Sequence, residues 1–131
     1  MTSENEGGML TADQILEIDD QNFKKVSVQK WGGHVYIKVM SAADRDEFEQ
    51  KIIKAQGDGF LKHLRATFLQ MCLCNKNGKL LFTKDQIEQL SQKSSEVIDK
   101  LWVIARAHNA VSDDDINELK KSSNKTQINV T

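Results

Sequence analysis

Residues 60–109 decide the fold, and they read FLKHLRATFLQMCLC, NKNGK, LLFTKDQIEQLSQ and KSSEVIDKLWVIARAHN. Apolar residues recur there every three or four positions in two stretches, which is typical of helices that each bury one face. The first stripe comprises Leu61, Leu64, Phe68, Met71 and Cys72, and the second comprises Val97, Leu101, Ile104, Ala105 and His108. The spacing predicts helices over 60–74 and 94–109 that form a core, and nothing in them resembles a catalytic site.

The strand signal precedes this core, in FKKVSVQKWGGHVYIKVM at residues 23–40. A two-residue turn at Gly32–Gly33 predicts a β-hairpin that pairs Trp31 with His34. Alternation places five apolar residues on one face of it: Val26, Val28, Val35, Ile37 and Val39. Because a lone hairpin is marginal in water, this face is predicted to pack on helices, with Trp31, His34 and Tyr36 outward or at a rim.

Four helix starts follow one capping pattern, in which a Ser or Thr is followed three residues later by Gln or Asp. The capping residues are Thr11, Ser41, Thr83 and Ser112. The second start opens a predicted helix over 41–55, with Phe48 and Ile52 inward. The last opens a helix over 112–121, acidic at its start and basic at its end, as the helix dipole favours.

These elements predict one α+β domain over residues 10–121, with an N-terminal β-hairpin packed on a bundle of about four to five helices. Residues 1–9 are polar and glycine-bearing, so they are predicted to form a disordered arm. Residues 122–131, SSNKTQINVT, are predicted to be a flexible tail.

The composition limits the classes of protein that fit. A chain of 131 residues is long enough for one domain that buries roughly two-thirds of its unfolded surface. The net charge of −1 argues against nucleic-acid binding, which needs a basic field. Residues 1–22 hold six acids and no Lys or Arg, so the remainder carries +5. No stretch approaches the ~20 apolar residues of a membrane span, and no leader peptide is recognised.

The two cysteines, Cys72 and Cys74, do not form a disulfide framework or a zinc site. A zinc site would need a second ligand pair, and His63 and His108 lie outside the usual spacings. Buried free thiols in a reducing compartment are therefore the favoured interpretation. No metal, cofactor or catalytic residue is predicted.

Trp31 is the residue with the strongest claim to a binding role. A tryptophan beside a hairpin turn, near His34 and Tyr36, forms an aromatic rim that could anchor a partner. The structural alternative is that Trp31 folds over the end of the hairpin and covers the helix over 41–55. The predicted partner-binding residues are Trp31, His34 and Tyr36.

The chain resembles the tail assembly chaperones of long-tailed (siphovirus-type) bacteriophages. The resemblance spans about Leu10 to Lys121. It is carried by LTADQIL, WGGHVYIKVMSAADRDEFE, RATFLQMCLCNKNGKLLFTKDQIEQLSQKS and IARAHNAVS, in that order and spacing. Each piece is mainly structural, and the family has no catalytic residues to transfer.

The resemblance implies a non-enzymatic assembly factor in the host cell cytoplasm. Such a factor binds and solubilises the tape measure protein, helps to recruit the tail tube protein, and is absent from the mature virion. A small prophage-encoded adaptor or regulatory module that binds one folded partner is the alternative. An enzyme is the third option, and it would need a deep pocket with convergent titratable groups. Association of the chain with itself stays open.

Overall fold

The computed structural model describes residues 8–55 and 61–130, with side chains as far as Lys121. It confirms the α+β fold: a hairpin packs on helices, and a third short strand extends the sheet. The strands are β1 (Phe23–Val28), β2 (Gly33–Lys38) and β3 (Leu73–Cys74), in the order β1-β2-β3. The helices are α1 (Ala12–Glu17), α2 (Ala42–Ala55), α3 (Leu64–Gln70), α4 (Ile87–Ser91), α5 (Ser95–His108) and α6 (Asp113–Val130).

The hairpin exists, but its predicted register is wrong. A two-residue turn would need both glycines at positive φ, whereas only Gly32 adopts it, at φ 74°. Gln29–Trp31 instead form a 3-10 turn, closed by the Gly32 amide donating to the Gln29 carbonyl at 3.0 Å. Val26 therefore faces Val35 instead of Val39. The slip is an even number of residues, so the apolar residues keep their side of the sheet.

The apolar face of the hairpin lies on the core, as predicted. Val26, Val28 and Ile37 are buried, and Val35 is half-buried against the same cluster. Val39 lies just beyond β2 and is half-buried. The two strands of the hairpin, β1 and β2, thus contribute alternate residues to one continuous core.

The predicted helix over 60–74 is too long at its C-terminal end. The helix α3 stops at Gln70, and Leu73 and Cys74 pair with Ile37 and Tyr36 as β3. The Lys38 amide also donates to the Cys72 carbonyl at 2.9 Å. The free edge of β2 provides this segment with backbone hydrogen-bond partners, so it forms a strand. The sequence pattern does not distinguish the two structures, because a short buried strand and a buried helix share the same apolar composition.

An aromatic cluster fills the centre of the helical layer. The Phe68 ring packs edge-on against Phe48 at 4.9 Å and against Trp102 at 5.2 Å between centroids. The Arg106 guanidinium lies over the Trp102 ring at 4.7 Å. The cluster joins α2, α3 and α5, which confirms Phe68 and Phe48 as core residues, and Trp102 is buried with them.

Asn109, at the end of α5, joins the helices to the sheet, and sequence analysis did not single it out. Its side chain is buried, and Oδ1 accepts a hydrogen bond from the Met40 amide at 2.7 Å. Its Nδ2 donates to the carbonyls of Lys38 at 3.1 Å and Ala105 at 3.0 Å. The exit of β2 and the last turn of α5 are therefore held by one amide group.

The predicted caps are present at the helix starts. Thr11 with Gln14 and Thr83 with Gln86 form reciprocal capping boxes. Ser41 accepts from the Asp44 amide at 3.1 Å, and Ser112 and Asp115 exchange hydrogen bonds at 2.9 and 3.1 Å. Each cap satisfies amides that the first turn of a helix leaves without partners.

The last helix is longer than predicted. It runs from Asp113 to Val130 instead of ending at Lys121, since neither Gly nor Pro interrupts residues 113–130. The flexibility of residues 122–131 stays a prediction. The predicted turn at 56–59 and residues 1–7 of the N-terminal arm lie outside the described residues. No helix in the described ranges combines the length and apolar character needed to cross a bilayer.

Candidate functional site

The candidate binding surface is the side of the sheet that points away from the core, and we call it the outward face. Opposed residues of antiparallel strands point to the same side, and Val35 and Ile37 point inward. The outward face therefore carries the residues that alternate with them: Lys25, Ser27, His34, Tyr36 and Lys38.

Two of the three predicted partner-binding residues meet on this face. His34 is exposed and Tyr36 is half-buried. Their rings contact edge to face, with centroids 5.6 Å apart and planes at 80°. This pair presents a stable aromatic surface because each ring restricts the other.

Trp31 lies elsewhere than predicted. It belongs to the 3-10 turn at the tip of the hairpin, and Ser27, not Trp31, is opposite His34. Trp31 exposes 36% of its surface. The neighbouring Lys30 ammonium contacts the Glu96 carboxylate on α5 at 2.9 Å. This ion pair is exposed, so it orients the tip more than it stabilises the fold.

Leu81 is a member of this surface that sequence analysis missed. Its side chain is 44% exposed, and it lines a shallow depression of about 250 Å³ together with His34, Tyr36 and Cys74. The depression exists because β3 pairs with β2 and the bridge between Cys74 and Leu80 brings the following residue alongside. No local signal could have found Leu81, since this arrangement requires two segments that are distant in sequence.

Gly78 shapes the turn that leads to this depression. It has φ 84°, and its amide donates to the Asn75 carbonyl at 2.9 Å. A Cβ at this position would lie 2.6 Å from Cζ of Phe23. Glycine is therefore required both by the left-handed backbone and by the Phe23 ring packed above it.

The charges beside the aromatic pair are basic. Lys25 lies opposite Tyr36, Lys38 follows it two residues later, and Lys76 lines the depression. None of the three forms an ion pair with another described residue. An apolar surface flanked by unpaired lysines complements a partner with apolar and acidic side chains.

The cysteines near this surface are not arranged as nucleophiles. Burial raises the pKa of Cys72 and of Cys74, so both are thiols at neutral pH. Across residues 8–55 and 61–130, no group of three His, Cys, Asp or Glu side chains is arranged to hold a metal ion. The absence of catalysis stays a prediction, but the geometry of this face suits binding.

The described chain is thus a small α+β domain with an open aromatic and basic sheet face. Its fold is similar to that of a solved structure, the bacteriophage HK97 tail assembly chaperone. The alignment covers 86% of this chain and 97% of that chain, with a TM-score of 0.53 and 17% sequence identity. No protein-family model and no curated protein sequence matches the chain. At this identity the similarity establishes a shared fold.

Proposed function

We propose that the chain is a tail assembly chaperone of a long-tailed bacteriophage. In this role it binds the tape measure protein in the host cytoplasm, keeps it soluble and helps to recruit tail tube subunits. The observation that carries the proposal is the fold similarity, which extends over 86% of this chain and 97% of the HK97 chaperone chain. The sequence resemblance over residues 10–121 points to the same family independently.

The outward face gives this function a physical basis. The His34 and Tyr36 rings with Leu81 offer apolar contact, and the unpaired Lys25 and Lys38 attract carboxylates. A long helical client presents apolar and acidic side chains along its whole length. A shallow surface binds each site weakly, and many copies along one client would then keep it soluble together.

The first test is co-expression with a candidate tape measure protein. We expect the client to move from the insoluble to the soluble fraction and to co-purify with the chain. A client that stays insoluble at matched expression, with no co-purification, would refute the proposal. Capture of a single folded partner instead would favour the adaptor alternative.

The binding surface is tested with substitutions at exposed positions. His34→Ser combined with Leu81→Ser removes contact area and leaves the core intact, whereas Val103→Ser is the matched control on α5, where Val103 is 56% exposed. We expect client yield to fall for the first variant only. Equal yields from both variants would place the binding surface elsewhere.

Trp31→Ala tests the tip of the hairpin in the same assay. We expect weaker co-purification with a nearly unchanged circular dichroism spectrum. Because Trp31 is only 36% exposed, its melting temperature is measured in parallel. A variant that unfolds would show that Trp31 is structural.

A further inference from the structure

The segment that precedes the sheet exposes an unusual number of apolar side chains. We call residues 9–20 the acidic segment. The helix α1 within it buries no residue. Five of its apolar residues are exposed: Met9 77%, Leu10 42%, Ile15 54%, Leu16 82% and Ile18 50%. An apolar patch concentrated on so short a segment indicates a partner surface.

The charges of the acidic segment define the surface it would fit. It holds Asp13, Glu17, Asp19 and Asp20, and residues 1–22 contain no Lys or Arg. A helix of six residues is marginal alone in water, even with the Thr11 capping box. The segment therefore gains most from an acceptor with an apolar floor and a basic rim.

The chain itself contains such an acceptor, which we call the α3–α5 groove. It lies between the starts of α3 and α5, has a volume of about 420 Å³, and is floored by Leu61, Leu64, Ile98 and Trp102. Lys93 stands at its rim and forms no ion pair with any described residue.

The other charged residues that line the groove add no net charge. Arg65 and Asp99 both line it and contact each other at 3.0 Å. The start of α5 also opens there, and the Ser94 side chain makes no capping hydrogen bond. The amides in the first turn of a helix have no acceptor within the helix, so this end of α5 favours a carboxylate.

We propose that the acidic segment of one copy docks into the α3–α5 groove of a second copy. Within one molecule the segment is exposed, so its apolar side chains and the groove are both available to another copy. The charges support the pairing: residues 1–22 carry −6, and the remainder, which holds the groove, carries +5. The docked segment would bury Ile15, Leu16 and Ile18 while its carboxylates approach Lys93.

The first test is the molar mass of the purified full chain by light scattering over a range of concentrations. We expect a concentration-dependent rise above 14.8 kDa, the mass of one chain. Leu16→Ser and Lys93→Glu should each return the mass toward one chain, and Val103→Ser should not. A single-chain mass for the unmodified protein at every concentration would overturn the proposal, as would an assembly that neither variant weakens.

A disulfide test identifies the two surfaces directly. Leu16→Cys protein is mixed with Lys93→Cys protein and oxidised; the native Cys72 and Cys74 are buried and do not compete. We expect the mixed dimer to form faster than the dimer from Leu16→Cys with Val103→Cys. Equal rates would overturn the proposed docking. Both tests use the protein without a client. If they fail, the proposed chaperone function still stands or falls by the co-expression experiment alone.

Discussion

Replacing Asn109 with alanine tests whether one buried amide joins the sheet to the helices. The substitution removes three hydrogen bonds to the backbone, those to the Met40 amide and to the carbonyls of Lys38 and Ala105, and a weaker one to the Cys72 sulfur at 3.6 Å. The methyl group of alanine cannot form any of these hydrogen bonds. The loss in the free energy of unfolding therefore measures the cost of the backbone groups that the substitution leaves without partners.

The magnitude follows from which of these groups keeps a partner. The Ala105 carbonyl still accepts from the Asn109 backbone amide at 3.0 Å. The buried Met40 amide loses the acceptor to which it donates at 2.7 Å. The part-buried Lys38 carbonyl loses the Asn109 amide group that donates to it at 3.1 Å. An unsatisfied buried polar group costs about 1–3 kcal/mol. With the carbonyl at the lower end, we expect Asn109→Ala to lower the free energy of unfolding by about 2–4 kcal/mol.

The assay is equilibrium urea unfolding followed by circular dichroism. The matched control is Asn117→Ala, which makes the same chemical change at an exposed position of α6 and should change the free energy by no more than about 0.5 kcal/mol. A loss below about 1 kcal/mol for Asn109→Ala would show that its hydrogen bonds are replaceable. A loss equal to the control would refute the reasoning.

Three further predictions concern the core, one turn and the thiols. Phe68→Ala should lower the free energy of unfolding by about 3–5 kcal/mol, because it empties the centre of a fully buried aromatic cluster; urea unfolding measures this, and a loss below about 1 kcal/mol would contradict the packing. Gly78→Ala should cost about 1–3 kcal/mol in the same assay because of its positive φ and its contact with Phe23. Gly33→Ala is the control, since nothing lies within 4 Å of a Cβ there; equal effects would refute this account. Both cysteines should react with a thiol reagent at neutral pH only after unfolding, because burial raises their pKa; rapid labelling of the native protein would disprove it.

The outward face and the core differ in how far sequence could predict them. His34 and Tyr36 were placed correctly because alternation along one strand fixes their side of the sheet. Leu81 was missed because its position depends on the pairing of β3 with β2. Asn109 was missed because a buried asparagine has no pattern of its own, and its partners lie up to 71 residues away in sequence.

The sequence by itself determined the features that local physics controls. The capping boxes at Thr11 and Thr83, the burial of Val97, Leu101 and Ala105 on α5 and the valine side of the hairpin depend on residues within a few positions of one another. Only the tertiary structure decided the register of the hairpin, the change from helix to strand at Leu73 and the hydrogen bonds of Asn109. The strand at Leu73 and the hydrogen bonds of Asn109 depend on which distant segment reaches the same backbone partners, and this is settled only when the chain is packed. The register depends on a 3-10 turn that the glycine pair by itself does not specify.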